Sequence, residues 1–376
     1  MNDYNIIHPR PSSIVAALYT LRDLEIDVVI LHGPPGCSFK HARLLEAENV
    51  HVLTSCMIEN DFVFGAKEKL KKTILKSIDL FHPKSIGIVG TCTSMIIGED
   101  LKETVFELKD ILKDKYKILC IEIHAGYSNN TDGVIAVLKE ANKLNIISDN
   151  ELQRQENLLK KATELELKKG AASEQYIPPS FGDIKYDVAK KIYSMIKNGK
   201  KGLCILNAKK ETAYMFIDEI LSVYETSIEL KKEKNIYYFC NIDKNVGLPI
   251  TKKNAENILI EINKRGLMIN EIIGGLDEYA ITENKILNLI ENKYNDIDFI
   301  IISGVPLIIS KDQYFLKEKI IISITNGPRQ VIPLKKIGHE YVIVEMDLHP
   351  KTLGYKKILE SEFGCTLRKI TKENNF

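Results

Sequence analysis

Tryptophan is absent from the 376 residues, and no two cysteines stand in a C-x-x-C pair. The second absence excludes a locally encoded zinc finger or ferredoxin-type cluster, whose ligands need that spacing. Charge of one sign is not in excess. Lys+Arg number 52 and Asp+Glu 51, so no general pull toward nucleic acid or an anionic membrane is expected. Apolar runs such as 297–305 and 320–324 are strand-sized, far short of the roughly 18–20 residues that span a bilayer. The N-terminal Met-Asn-Asp-Tyr-Asn lacks the basic and apolar regions of a secretory signal, so the cytoplasm is the expected location. No loop ends in the Lys-Ser/Thr of a P-loop, and the chain is not expected to hydrolyse ATP alone.

Cysteine is present but unpaired in pattern. The seven residues at 37, 56, 92, 120, 204, 240 and 365 are odd in number and scattered, which is no disulfide framework. Cys120, Cys204 and Cys240 lie inside apolar runs and read as buried small hydrophobes. Cys37, Cys56 and Cys92 stand at turns or strand ends.

What the chain does have is alternation. Short apolar runs at 28–31, 50–53, 85–90 and 117–123 are separated by helix-period segments, among them 66–81 with Leu70, Ile74 and Ile78 on one face. Strands alternating with helices predict layered α/β units with parallel sheets. We expect two or three Rossmann-like units: 1–180, closed by the breaker Pro178-Pro179; 181–267, with strands at 202–206 and 236–240; and 268–376, with strands at 297–303, 320–324 and 341–346. A last helix is expected from about 351. In open sheets of this kind ligands bind beyond the carboxyl ends of the strands. Cys37, Cys92 and His124 all fall just after a predicted strand.

The turn His32-Gly33-Pro34-Pro35-Gly36-Cys37 is stiff and presents a thiol at its end. It lacks the glycine spacing of a dinucleotide site, and from spacing alone its cysteine either packs or serves a site. Gly90-Thr91-Cys92-Thr93-Ser94 and Thr54-Ser55-Cys56-Met57 place two more thiols beyond strands. Three thiols from separate loops can converge on a soft metal centre, assembled by the fold or shared between chains.

Four blocks then occur in order. They are His32-Gly33-Pro34-x-Gly36-Cys37-Ser38-Phe39, Glu59-Asn60-Asp61-Phe62-Val63-Phe64-Gly65, Phe81-His82-Pro83-Lys84-Ser85-Ile86-Gly87-Ile88 and Thr91-Cys92-x-x-x-Ile96-Ile97-Gly98-Glu99-Asp100. Together they resemble the D-type lineage of nitrogenase component 1, whose relatives include the dark-operative protochlorophyllide reductases. The resemblance implies a nitrogenase component 1-like fold and a 4Fe–4S cluster held between two protomers, with Cys37 and Cys92 at ligand positions. The upstream ligand cysteine of the large members is missing. Cys56 is either a replacement ligand or a packed thiol near the cluster. The cysteine and histidine that hold an iron–molybdenum cofactor are not recognisable, so nitrogen reduction is not expected.

The chain is also short for the family. It is most similar to a branch that reduces and cyclises a nickel-bound tetrapyrrole, works as a homodimer and receives electrons from an ATP-hydrolysing iron protein. That likeness implies a nickel tetrapyrrole as substrate. A reductase of another substrate and a non-catalytic scaffold for cofactor assembly remain as alternatives. His124 is the candidate proton donor, and Arg329, in the loop after the strand at 320–324, the candidate partner of a tetrapyrrole carboxylate. His32, His41, Glu59 and Asp61 each have a plain structural reading beside a functional one.

Overall fold

The computed structural model describes residues 12–113, 115–123, 131–169, 184–345 and 356–374. The chain divides into two compact units, Met1–Lys160 with Leu248–Ile250, and Lys161–Gly247 with Thr251–Phe376.

The first unit is built on a strand apolar on both faces. All five residues of β1 (Val28–His32) are buried, the pattern of a strand covered on each side in a parallel sheet. Its neighbours are β2 (His51–Thr54) and β3 (Ser85–Gly90), with β4 (Lys117–Ile121) beyond β3; all pairings are parallel and the order is β2-β1-β3-β4. Helices connect and flank them: α1 (Ser13–Asp23), α2 (Phe39–Glu46), α3 (Glu59–Phe64), α4 (Lys67–Phe81), α5 (Cys92–Ile96), α6 (Leu101–Glu107), α7 (Lys109–Leu112), α8 (Thr131–Lys143) and α9 (Asp149–Lys169). Leu70 and Ile74, one turn apart on α4, pack on Val28, Ile30, Ile86 and Ile88 of the sheet. The chain leaves β1 toward β2 and returns to the other side of β1 as β3. The gap beyond the carboxyl ends of β1 and β3 is therefore the switch point of this sheet.

The second unit holds α10 (Lys185–Lys197), β5 (Gly202–Asn207), α11 (Ala213–Glu229), β6 (Ile236–Cys240), α12 (Pro249–Lys264), β7 (Glu271–Ile272), α13 (Glu283–Asn292), β8 (Phe299–Gly304), β9 (Ile320–Thr325), α14 (Val331–Lys336), β10 (Tyr341–Val344) and α15 (Glu362–Glu373). Its six strands form one parallel sheet in the order β10-β9-β8-β5-β6-β7. The sequence pattern predicts two units here, meeting near residue 267. Instead β5 pairs with β8 along its whole length, Gly202 with Phe299 through Asn207 with Gly304. Hydrophobic periodicity marks each strand but carries no information on which strands pair, and β5, buried on both faces, takes a neighbour on each side.

Two further boundaries differ from the pattern. The division between units falls inside α9, after Lys160, rather than at Pro178-Pro179, which lies outside the described residues. The final helix starts at Glu362, because Ser361 caps it and accepts the Gly364 N–H at 2.9 Å.

Candidate metal centre at the first switch point

The site begins with the turn that leaves β1. Gly36 adopts φ +106°, which favours a residue without a Cβ. Gly33 is required for a different reason: a Cβ there would stand 2.2 Å from Thr91 Oγ1. Pro34 accepts the Cys37 N–H at 3.4 Å, and Gly36 that of Phe39 at 3.2 Å. The turn thus delivers a half-buried Cys37 at the start of α2.

Thr91 joins the second loop to the first. Its N–H and its hydroxyl both donate to the His32 carbonyl, at 3.2 and 3.0 Å. Ser94 then accepts the Thr91 N–H at 2.9 Å and caps α5, whose first residue is Cys92, also half-buried. The two thiols lie near enough to interact. Burial pushes the Cys37 thiol above its ordinary range, and the charge of Cys92 pushes it further.

Cys56 is exposed and sits at φ +53° beyond β2, where Thr54 Oγ1 accepts its N–H at 3.1 Å. Among the described residues, no three His, Cys, Asp or Glu side chains are grouped so as to hold a metal ion. Within one chain the Cys37–Cys92 pair therefore has no third ligand from the described residues. Two half-buried thiols from adjacent loops have the donor chemistry of a soft-metal site, because thiolates suit iron–sulfur clusters.

Behind the turn, His32 is fully buried. Its Nδ1 lies 2.9 Å from Ser55 Oγ, and its Nε2 3.4 Å from Glu99 Oε2. Burial lowers its pKa and Glu99 partly restores it. Ser55 Oγ also accepts the Gly33 N–H at 3.0 Å. Asp61, in the first turn of α3, accepts the Ile58 N–H at 2.7 Å and pairs with Lys69 at 2.5 Å; that hydrogen bond first, and the Ile58 amide second, hold its carboxyl below the usual range. Asp61 thus makes the contacts of a helix cap, while Glu59 beside it is exposed. His41 is half-buried, edge-on to Tyr19 with ring centres 6.1 Å apart.

Apolar side chains stand exposed on the helices that follow these loops. Phe39 is 63% exposed, Val63 75%, Phe64 85% and Ile96 77%, with Ile58 and Phe62 less so. Exposed apolar groups at three consecutive positions, as at 62–64, are uncommon on the surface of a monomer. Sequence pattern did not single them out. The signal was present in Phe62-Val63-Phe64, three consecutive apolar residues on a six-residue helix that can bury only one face.

Residues 12–166 match the family model for nitrogenase component 1 type oxidoreductases. Over 371 residues the chain is 54% identical to the "Ni-sirohydrochlorin a,c-diamide reductive cyclase complex, component CfbD" of Methanosarcina acetivorans, covering 99% of each. It is 44% identical to the protein of the same description in Methanothermobacter thermautotrophicus, over 98% of this chain and 99% of that one. The alpha chain of the nitrogenase molybdenum-iron protein of Clostridium pasteurianum is 38% identical over 85 residues, 20% of this chain and 16% of that one. This chain belongs to the CfbD family of nitrogenase component 1 type oxidoreductases.

In this CfbD-family chain the remaining sequence candidates lie elsewhere. Cys120, Cys204 and Cys240 are buried in the cores, where burial holds their thiols neutral, Cys120 and Cys240 both up to about 12. Arg329 occupies a 3-10 turn, Pro328–Gln330, just beyond β9, with its side chain exposed. His124 lies outside the described residues. No helix among the described residues is long and apolar enough to cross a membrane.

Proposed function

We propose that this chain is the catalytic component of a Ni-sirohydrochlorin a,c-diamide reductive cyclase. In this reading a homodimer takes electrons from an ATP-hydrolysing iron protein and reduces and cyclises the nickel tetrapyrrole in the cytoplasm. The observation that carries it is the pairing of Cys37 and Cys92 at one switch point, in a chain alike over its whole length to proteins of that description.

Cys37 and Cys92 from each of two copies give four thiolates, the number a 4Fe–4S cluster requires. That cluster, when bound, supplies one-electron transfer at low potential. Both thiols must lose their protons on loading, and for Cys37 burial makes that loss harder in the empty protein. Cys56, exposed beyond β2, is either a replacement ligand or a thiol near the cluster. The apolar side chains of α3, with Phe39 and Ile96, supply the area that a second copy and the iron protein would cover. Arg329, in the turn after β9, is assigned to a tetrapyrrole carboxylate, and His124, which follows β4 in the sequence, to proton delivery.

Anaerobic protein, reconstituted with iron and sulfide, is titrated with Ni-sirohydrochlorin a,c-diamide, a nitrogenase-type iron protein, ATP and a low-potential donor. Turnover that needs every component is expected. Sustained ATP hydrolysis by this chain alone, or reduction without the iron protein, contradicts the proposal.

A further inference from the structure

We infer that Glu99 is a positioning residue that makes the α3–α4 joint and the Cys37 turn one mechanical unit. The inference rests on the reading of Cys37 and Cys92 as a centre reduced by a docked partner. Glu99 touches three elements at once. Its backbone N–H donates to Ser94 of the Cys92 helix at 2.9 Å. Its Oε1 accepts the Ala66 N–H at 2.6 Å, at the joint directly after the exposed Phe62-Val63-Phe64. Its Oε2 faces His32 Nε2 at 3.4 Å.

The hydrogen-bond chain has one consistent direction. Ser55 Oγ accepts the Gly33 N–H, and its one proton goes to His32 Nδ1 at 2.9 Å rather than to the Gly33 carbonyl at 3.5 Å, which already accepts from Thr54 Oγ1 and the Met57 N–H. His32 is then the neutral tautomer with its proton on Nε2, donating to Glu99. From Ala66 to Gly33 the order is Ala66 N–H to Glu99, His32 Nε2–H to Glu99, Ser55 O–H to His32, Gly33 N–H to Ser55. Every link is buried or nearly so.

Two features separate this from ordinary packing. The Glu99 side chain is 8% exposed, yet no lysine or arginine among the described residues pairs with it. A buried carboxylate without a lysine or arginine is costly, and here each of its oxygens meets one N–H donor, Ala66 on Oε1 and His32 on Oε2. Both donors need an acceptor, so a carboxamide cannot replace it. Glutamine presents one acceptor and one NH2, and the NH2 would meet either the Ala66 N–H or the His32 Nε2–H. A push on α3 by a docking partner moves Gly65 and Ala66, and through Glu99 it reaches both cysteine loops.

The test uses full-length, iron-loaded dimer carrying Glu99→Gln, with Ser55→Ala cutting the chain on the far side of His32. Iron content, amide hydrogen exchange and stopped-flow reduction of the cluster by a nitrogenase-type iron protein are measured. Glu99→Gln is expected to keep its iron and to need the same half-saturating partner concentration. Exchange should rise together in 33–38 and 62–67, and reduction at saturating partner should slow about fivefold or more. Ser55→Ala should loosen 33–38 alone and slow reduction likewise; if Glu99→Gln does not fold, this variant decides. Unchanged reduction, loosening of only one segment in Glu99→Gln, or loss of iron overturns the inference. If the parent protein itself is not reduced by the iron protein, the functional reading falls first and takes the inference with it.

Discussion

The hydroxyl of Thr91 donates to the carbonyl oxygen of His32 at 3.0 Å, and a Cβ on Gly33 would strike that same hydroxyl. The loops carrying Cys37 and Cys92 are therefore fixed to each other by the chain's own contacts. A centre prepared in this way loses less conformational freedom on loading than one assembled from mobile loops.

Cys37→Ala and Cys92→Ala should each abolish iron binding in anaerobic reconstitution, because each removes two of four thiolates from a two-fold symmetric site. Cys56→Ala should retain iron. Iron per dimer, measured with the visible absorbance of the cluster, decides; full iron in both of the first two variants, with loss in the third, would reverse the ligand assignment.

Gly33→Ala should destabilise the first unit by about 1–3 kcal/mol, since the added methyl meets the Thr91 side chain and backbone on both sides is fixed. Gly33→Ala should cost less in a Thr91→Ala background, which removes both the hydroxyl and the methyl that the new Cβ would meet. Denaturant unfolding of the single and double variants measures the difference, and equal stabilities would show that the contact yields freely.

Phe64→Ala should leave stability within about 0.5 kcal/mol, as the side chain is 85% exposed. It should nevertheless weaken partner-dependent reduction, if the α3 surface is covered during turnover. A raised half-saturating concentration of iron protein at unchanged melting temperature is the expected pair of results.

Glu219, on α11, is buried, and neither of its carboxyl oxygens has a hydrogen-bond partner at bonding distance. Burial first, then the charge of Glu345, raises its pKa well above the usual carboxyl range, and nearby Ser303 offsets only part of this. The native state therefore keeps a proton that the unfolded chain releases above about pH 4.3. The direction follows: stability falls as pH rises from the unfolded value toward the native one. Glu219→Gln should gain more stability at pH 8 than at pH 5, read from unfolding midpoints. An equal effect at both pH values would show that the group is not protonated in the fold.

The sequence by itself determined the α/β class, the position of nearly every strand, the core face of α4 and the placing of Cys37 and Cys92 just beyond strands. These are local properties. Apolar periodicity sets element type, and glycine and proline set turns, without reference to anything distant in the chain. The four ordered blocks between residues 32 and 100 likewise carried the family. What only the tertiary structure decided is partnership. It placed β5 beside β8 and so joined two expected units into one sheet. It set β1 beside β3, which brings Cys37 to Cys92 across 55 residues of chain while leaving Cys56 out of the pair's immediate shell. It also put Glu99 between Ala66 and His32, a role that no spacing in the sequence announces. Strand pairing and buried hydrogen bonds are long-range choices, fixed by which apolar faces and polar groups can be satisfied together once the chain is compact.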